Sequence, residues 1–165
     1  MVNMEPAFYE GVGRVVVAAA QLELSLACMV FATTPSPDDL WKIASVPGRA
    51  LRDLRRLGSQ MPTVDTYDEV RTIAADAEGV LRERHRISHS LYLAGQPSEG
   101  SLQGYGVHPR QRTGGEDQPP DPLPTPDELH GLTQQLVAVA ARAYEWLIRN
   151  AGFPDPRRAG AAEPS

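Results

Sequence analysis

The sequence predicts an all-α fold, an up-and-down bundle of four to five helices. Apolar residues recur at the spacing of a helix face in three long segments, residues 6–33, 66–91 and 126–150. Capping residues mark two of the helix starts, because Thr66 is followed three positions later by Glu69, and Thr125 by Glu128. No stretch alternates apolar and polar residues well enough to supply a central sheet. We therefore expect no sheet of more than two short strands.

Two short helices are predicted between the first two long ones. Ser36 is suited to be an N-cap and opens one helix that continues to about Ala44. Pro47 favours the first turn of another helix, which carries leucines at helical spacing, has an arginine-rich outer face and ends near Gly58. Four or five helices are therefore expected, depending on whether both short ones form.

The segment before the last helix has a different composition. Residues 95–122 are rich in Gly, Pro, Gln and Ser, which predicts a long loop. Within and beside this loop, residues 91–93 and 102–107 are candidates for a short hairpin. We expect one domain over residues 1–153, followed by a disordered tail over 154–165 that is rich in Ala, Gly and Pro.

Composition and charge narrow the class of protein. The chain has 165 residues, a net charge of −5 and a single cysteine, Cys28, which excludes an intrachain disulfide framework. No basic leader precedes an apolar stretch, and Gln21 and Glu23 interrupt the longest apolar run. We therefore expect neither a signal peptide nor a membrane span, and a cytoplasmic location. The net charge argues against a broad nucleic-acid surface, but arginines cluster at residues 49–56 and 82–86, as a solvated helix face or as an RNA track.

A few polar residues fall on the apolar faces of the long helices. Glu23 lies within the apolar stripe of the first helix, and Arg84 lies near the centre of the stripe of the second. His85 and His89 follow one edge of that second stripe, one turn apart. An unpaired buried charge costs several kcal/mol, so Arg84 and Glu23 are expected to pair across the two packed helices, within about 4 Å. A position at a cleft or a subunit interface is the alternative.

The segment from Glu83 to Ser90, Glu-Arg-His-Arg-Ile-Ser-His-Ser, resembles the motif of the HEPN superfamily of helical ribonucleases and toxins. That motif is an arginine, four to six residues and a histidine near the end of a long helix, here Arg84 and His89. His85 stands where the family very commonly has Asn after the arginine. An acidic residue in the first helix, here Glu23, is also similar to that family.

The resemblance implies a symmetric dimer that cleaves RNA without a metal or other cofactor. It assigns Arg84 and His89 to catalysis, with Glu23 and His85 as supporting residues. These side chains suit the reaction, because histidine titrates near neutral pH and arginine holds two phosphate oxygens in its planar fork. The implied partners are RNA, a second copy of the chain and an antitoxin protein, in a toxin–antitoxin or defence system.

Other interpretations of the same residues remain open. Arg84 and Glu23 would also suit a purely structural ion pair, and His89 would suit a helix end, where the helix dipole favours its charged form. The chain would then be a non-catalytic helical dimer acting as an interaction or regulatory module. A phage or accessory structural protein that shares the bundle is a further alternative.

A zinc site is a weaker alternative. His85 and His89 are spaced one helical turn apart, as two metal ligands on one helix face can be. Zinc needs at least a third protein ligand, and the candidates are His108 and His130 in distant segments. We therefore expect no metal in this protein.

Overall fold

The structure, a computed structural model, describes residues 6–33, 39–46, 48–58, 64–89, 91–94, 104–107 and 121–151. Within these residues lie five helices: α1 (Pro6–Thr33), α2 (Asp39–Ala44), α3 (Arg49–Gly58), α4 (Val64–His89) and α5 (Pro126–Ala151). The all-α prediction is confirmed, and both short helices form. The predicted tail falls outside the described residues.

A small antiparallel sheet follows α4. Its strands are β1 (Leu91–Ala94), β2 (Gly104–Val107) and β3 (Asp121–Pro122), in the order β1-β2-β3. Leu91 pairs with Val107, and Tyr105 with Pro122. The predicted hairpin therefore forms, but β3 exceeds the two strands expected. This third strand is two residues long and contains a proline, which donates no ladder hydrogen bond, so no alternating pattern announces it in the sequence.

The core is formed mainly by α1 and α5, which pack most extensively against each other. Leucines from both helices are fully buried, namely Leu22, Leu26, Leu129, Leu136 and Leu147. Leu54 of α3 and Ile73 of α4 complete the interior. Among the described residues no polar or charged side chain is fully buried, so apolar burial stabilises this fold.

Two ion pairs show how α4 and α5 run relative to each other. Arg149, near the end of α5, contacts Glu69, near the start of α4. Arg142, two turns earlier in α5, lies 2.5 Å from Asp76, two turns later in α4. The contacts thus move toward the start of α5 as they move toward the end of α4, so the two helices are antiparallel. These four side chains are substantially exposed, so the pairs contribute little to the free energy of unfolding.

The predicted capping box of α5 is present. The backbone N–H of Thr125 donates to Oε2 of Glu128 (2.7 Å), and the N–H of Glu128 donates to Oγ1 of Thr125 (3.2 Å). These hydrogen bonds, first of all the one from the Thr125 backbone, lower the pKa of Glu128. The box predicted for α4 is wrong, because that helix begins at Val64 and already contains Thr66. The sequence offers Thr63, another residue of N-cap type, directly before it.

Helix α1 is apolar on its outer face as well as in the core. By length and composition alone it would suffice to cross a membrane, despite the polar residues at positions 21 and 23. Four large apolar side chains on the face away from the core remain 41–59% exposed: Tyr9, Val16, Val17 and Leu24. We call these four residues the α1 stripe. Exposed apolar side chains grouped on one helix face are typical of a surface that binds a partner.

The start of α1 lies against the start of α5 at a glycine. A Cβ atom on Gly11 would be 2.7 Å from Cδ1 and 3.2 Å from Cβ of the buried Leu129. Gly13 lies two residues further along α1, and a Cβ atom there would have no neighbouring atom within 4 Å. Gly11 therefore sets the distance between the two helices, whereas Gly13 does not.

These two glycines predict opposite effects of the same substitution. Gly13→Ala should stabilise the protein by up to about 1 kcal/mol, because alanine has the higher helix propensity. Gly11→Ala should lose that gain and destabilise by about 1 kcal/mol, because overpacking against Leu129 outweighs it. Urea unfolding followed by far-UV circular dichroism measures both. Equal stabilisation by the two variants would contradict the close approach.

Candidate functional site

Arg84 of α4 and Glu23 of α1 face each other across the two helices. Nη2 of Arg84 lies 3.9 Å from Oε2 of Glu23, which confirms the predicted contact within about 4 Å. Their side chains are 18% and 24% exposed, so the pair is mostly but not fully shielded from water. The polar interruptions of the two apolar stripes therefore meet, as expected from the cost of burying either charge alone.

The contact leaves the guanidinium of Arg84 incompletely satisfied. A separation of 3.9 Å is an ion pair but is too long for a hydrogen bond. The Nε atom of Arg84 is buried and has no hydrogen-bond partner among the described residues. A structural arginine is usually held more completely, through two parallel hydrogen bonds to one carboxylate. Arg84 is thus anchored by Glu23, and Nη2 rather than the buried Nε is the donor that an additional anion would use.

His85 and His89 lie at the end of α4, and the structure describes the side chain of His85 alone of these two. His85 directly follows Arg84 and is exposed. His89 is the last residue of α4, one turn beyond His85, and its side chain lies outside the described residues. The structure therefore brings together Arg84 and Glu23, places His85 beside them in the chain, and assigns no contact to the imidazole of His89.

Two side-chain interactions organise this last part of α4. Arg86 binds Glu83, one turn earlier, through Nη2 (2.5 Å) and Nε (2.9 Å). The hydroxyl of Ser88 donates to the backbone carbonyl of Arg84 (2.9 Å). The pairing of Glu83 with Arg86 was not anticipated, although their spacing of three residues is a known signal for a helix pair. Both arginines are therefore paired with a carboxylate, Arg86 through two hydrogen bonds and Arg84 through a longer ion pair.

Helices α2 and α3 cover one side of Glu23. A cavity of about 10 Å³ lies there, bordered by Glu23, Ile43, Leu51 and Leu81. It is about the size of one water molecule and too small for a nucleotide. Sequence patterns did not predict this covering, because each short helix carries too few residues to show which neighbour it packs on.

The described residues contain no group of three or more His, Cys, Asp or Glu that could hold a metal ion. His130, a candidate third zinc ligand, lies on α5 with its Nε2 2.9 Å from Nε2 of Gln134. His108 lies outside the described residues. Burial raises the pKa of Cys28, which favours the unreactive thiol over the thiolate.

No family model matches this sequence, and no curated protein or solved structure is significantly similar to it. The similarity to the HEPN superfamily therefore rests on the motif at the end of α4, on Glu23 and on the helix order. A helical bundle by itself hosts many activities, so the function depends on the residues of the site.

The Arg84–Glu23 contact predicts an energetic coupling between the two positions. Glu23→Gln should destabilise by about 1–2 kcal/mol, between the values typical of exposed and of buried pairs, because the pair is partly shielded. A double-mutant cycle with Arg84→Gln, followed by urea unfolding, should give a coupling of about 1 kcal/mol.

The exposed pair of Glu10 and Arg14, 2.6 Å apart on α1, is the matched control. Its side chains are 63% and 62% exposed, so Glu10→Gln should change the stability by less than about 0.5 kcal/mol. The same double-mutant cycle is run at Glu10 and Arg14. If the coupling energy between Glu23 and Arg84 is no larger than the one between Glu10 and Arg14, the partly buried contact does not contribute to stability.

Proposed function

We propose that the protein is a metal-independent endoribonuclease of HEPN type that acts as a homodimer. The observation that carries this proposal is the arrangement around Arg84. The arginine of the motif lies on the inner side of α4 and is anchored by Glu23 from α1, and its Nη2 atom, 3.9 Å from that carboxylate, is not engaged in a hydrogen bond with it. A phosphate in the RNA backbone is an anion of suitable shape for a guanidinium fork.

The proposed reaction is attack by the ribose 2′-hydroxyl on the adjacent phosphate. A neutral imidazole accepts the proton of that hydroxyl, and the 2′-oxygen forms a bond to phosphorus. The bond from phosphorus to the 5′-oxygen breaks, and a protonated imidazole supplies the proton that this oxygen needs. The products are a 2′,3′-cyclic phosphate and a 5′-hydroxyl. Arg84 binds the phosphate and stabilises the charge that develops on it.

One histidine cannot easily act as base and acid in the same turnover. A two-fold axis solves this, because it supplies His89 from each copy, one neutral and one protonated. Glu23 then fixes the orientation of Arg84, and His85 assists as a supporting polar residue. The resemblance gives His85, which is exposed, this supporting role.

A dimer also accounts for the exposed apolar surface of α1. Tyr9 and Val16 precede Glu23 by fourteen and seven residues, so all three follow one line along the helix. The stripe is therefore continuous with the side of α1 that meets Arg84. A second copy of the chain is the occupant that we expect there, since it would bury the stripe and bring two motif helices to one cleft.

A non-catalytic helical dimer is the second candidate function. The observation that favours it is the burial of Arg84, whose side chain is 18% exposed and whose Nε is sealed from solvent. Such an arginine would link α1 and α4 without touching any substrate. If the protein is instead a ribonuclease, the toxin of a toxin–antitoxin or defence system is the context that we propose.

The dimer is tested by sedimentation velocity. We expect the wild-type protein to sediment as a dimer at micromolar concentration, and Val17→Glu to shift it toward monomer. Val17 is 59% exposed, so a carboxylate there should leave the fold intact while opposing burial of the stripe. A wild-type monomer at these concentrations would rule out a scheme that needs two copies of His89.

Activity is tested with His89→Ala. This variant should lose RNA cleavage while keeping its helix content and its dimer, because the histidine is assigned to proton transfer and lies at the end of α4. Cleavage by the wild type should persist in EDTA and leave a 2′,3′-cyclic phosphate. DNA lacks the 2′-hydroxyl and should not be cleaved.

Arg84→Lys is the informative companion variant, since it keeps the charge but not the fork. It should fold with Glu23 still paired and yet cleave more slowly than the wild type. Cleavage that requires a divalent ion, or that survives the loss of His89, would contradict the proposed chemistry. An inactive wild type on several RNAs would favour the non-catalytic dimer.

A further inference from the structure

Helix α3 has a buried apolar face and an exposed basic face. Ala50 and Leu54 are buried against the other helices, whereas Arg52, Arg55 and Arg56 are exposed on the outer side. Three exposed arginines within five positions are unexpected in a chain with a net charge of −5. The negative charge of the protein therefore lies elsewhere, and the outer face of α3 is locally basic.

Two contacts fix how α3 lies beside α4. Nη1 of Arg55 is 3.2 Å from Oε2 of Glu78, and Leu51 and Leu81 border the same small cavity. Because Leu51 precedes Arg55 whereas Leu81 follows Glu78, the two helices run antiparallel. The first turns of α3 therefore lie beside the later turns of α4, which lead to the motif at its end.

This register brings arginines from two helices to one surface. Arg52 adjoins Leu51 and Arg82 adjoins Leu81, and both arginines are exposed. Neither makes an ion pair with any described acidic side chain, whereas Arg55 is paired with Glu78. The outer surface shared by α3 and α4 thus carries at least two positive charges that no described carboxylate neutralises.

The direction of α4 links this surface to the candidate site. Arg82, Arg84 and His85 lie within one turn of the helix, with Arg84 turned toward α1 and the other two exposed. Because Arg82 and Arg84 point to nearly opposite sides of α4, an anionic chain that binds Arg82 would follow the outer face of the helix past His85, about one turn further on, toward the end of α4.

We propose that Arg52 and Arg82, supported by Arg55 and Arg56, form a phosphate-binding track that positions single-stranded RNA at the end of α4. The inference rests on the ribonuclease proposed above and adds the residues that would hold the RNA beyond the cleaved phosphate. Arginine side chains spaced along two helices suit a polymer that carries a phosphate in every unit. An acidic polypeptide is the competing occupant, and the test includes it.

The test measures RNA binding in the full-length His89→Ala protein, so that the substrate is not consumed. The probe is a short single-stranded RNA with a fluorescent 5′ label, followed by anisotropy at several potassium chloride concentrations. Adding Arg52→Gln and Arg82→Gln should weaken binding at least about tenfold and reduce the salt slope by about 1.4, at about 0.7 per lost phosphate contact. Both side chains are exposed, so the helix content should not change.

The matched control adds Arg14→Gln and Arg71→Gln, which remove the same charge from exposed positions on α1 and the first half of α4. This control should bind RNA within about twofold of its parent, with an unchanged salt slope. Equal loss in both double variants would overturn the track, because the effect would then reflect net charge alone. Binding of polyglutamate in preference to RNA would also overturn it.

The outcome also separates the track from the ribonuclease itself. Binding that depends on Arg52 and Arg82, in a protein whose wild type cleaves no RNA, would support the track and reject the catalytic role. Cleavage by the wild type, with binding that is insensitive to these two arginines, would keep the catalytic role and reject the track.

Discussion

A guanidinium and a carboxylate on the apolar faces of two helices constrain how those helices pack. Burying either charge alone would cost several kcal/mol, so α1 and α4 are compatible with each other chiefly in an arrangement that brings Glu23 to Arg84. The observed 3.9 Å contact meets this requirement without saturating the arginine. The same pair thus restricts the register of the bundle and leaves a partly satisfied cation close to its surface. A fully apolar interface would pack as well but would leave nothing there to bind an anion.

The central position of α1 follows from its composition and carries a consequence for assembly. One face supplies Val15, Leu22 and Leu26 to the core, and the opposite face displays the α1 stripe. A helix with apolar residues on both sides is stable in water only if something covers the second side. Gly11 allows α5 to approach closely on one flank, and α2 and α3 cover the region around Glu23 on another. The remaining flank is the stripe, whose side chains stay 41–59% exposed and supply the surface for the proposed dimer.

The sequence predicted those features that depend on regular spacing and missed those that depend on tertiary contact. Periodicity identified the three long helices, and the spacing of Thr125 and Glu128 identified the cap of α5. The same rule failed at Thr66, because several residue types that can cap a helix lie close together and spacing alone does not choose among them. The contact between Glu23 and Arg84 was predictable, since each is a charged residue on the apolar face of its helix. The way α3 covers Glu23 was not, because a helix of ten residues shows a buried face without showing what it is buried against.

The distribution of charge gives the strongest link between the fold and a function. A protein of net charge −5 repels polyanions, and salt at 0.1 M screens this repulsion beyond about 10 Å, so that the local charges decide where a polyanion binds. Arg52 of α3 and Arg82 of α4 form a locally positive surface on this negatively charged protein. Arg82 lies on the same helix as the motif. An RNA chain would therefore be excluded from most of the surface and accepted at one end of α4. Selection of this kind would restrict where the RNA binds, and a net basic protein would not achieve it, because its whole surface would attract the substrate.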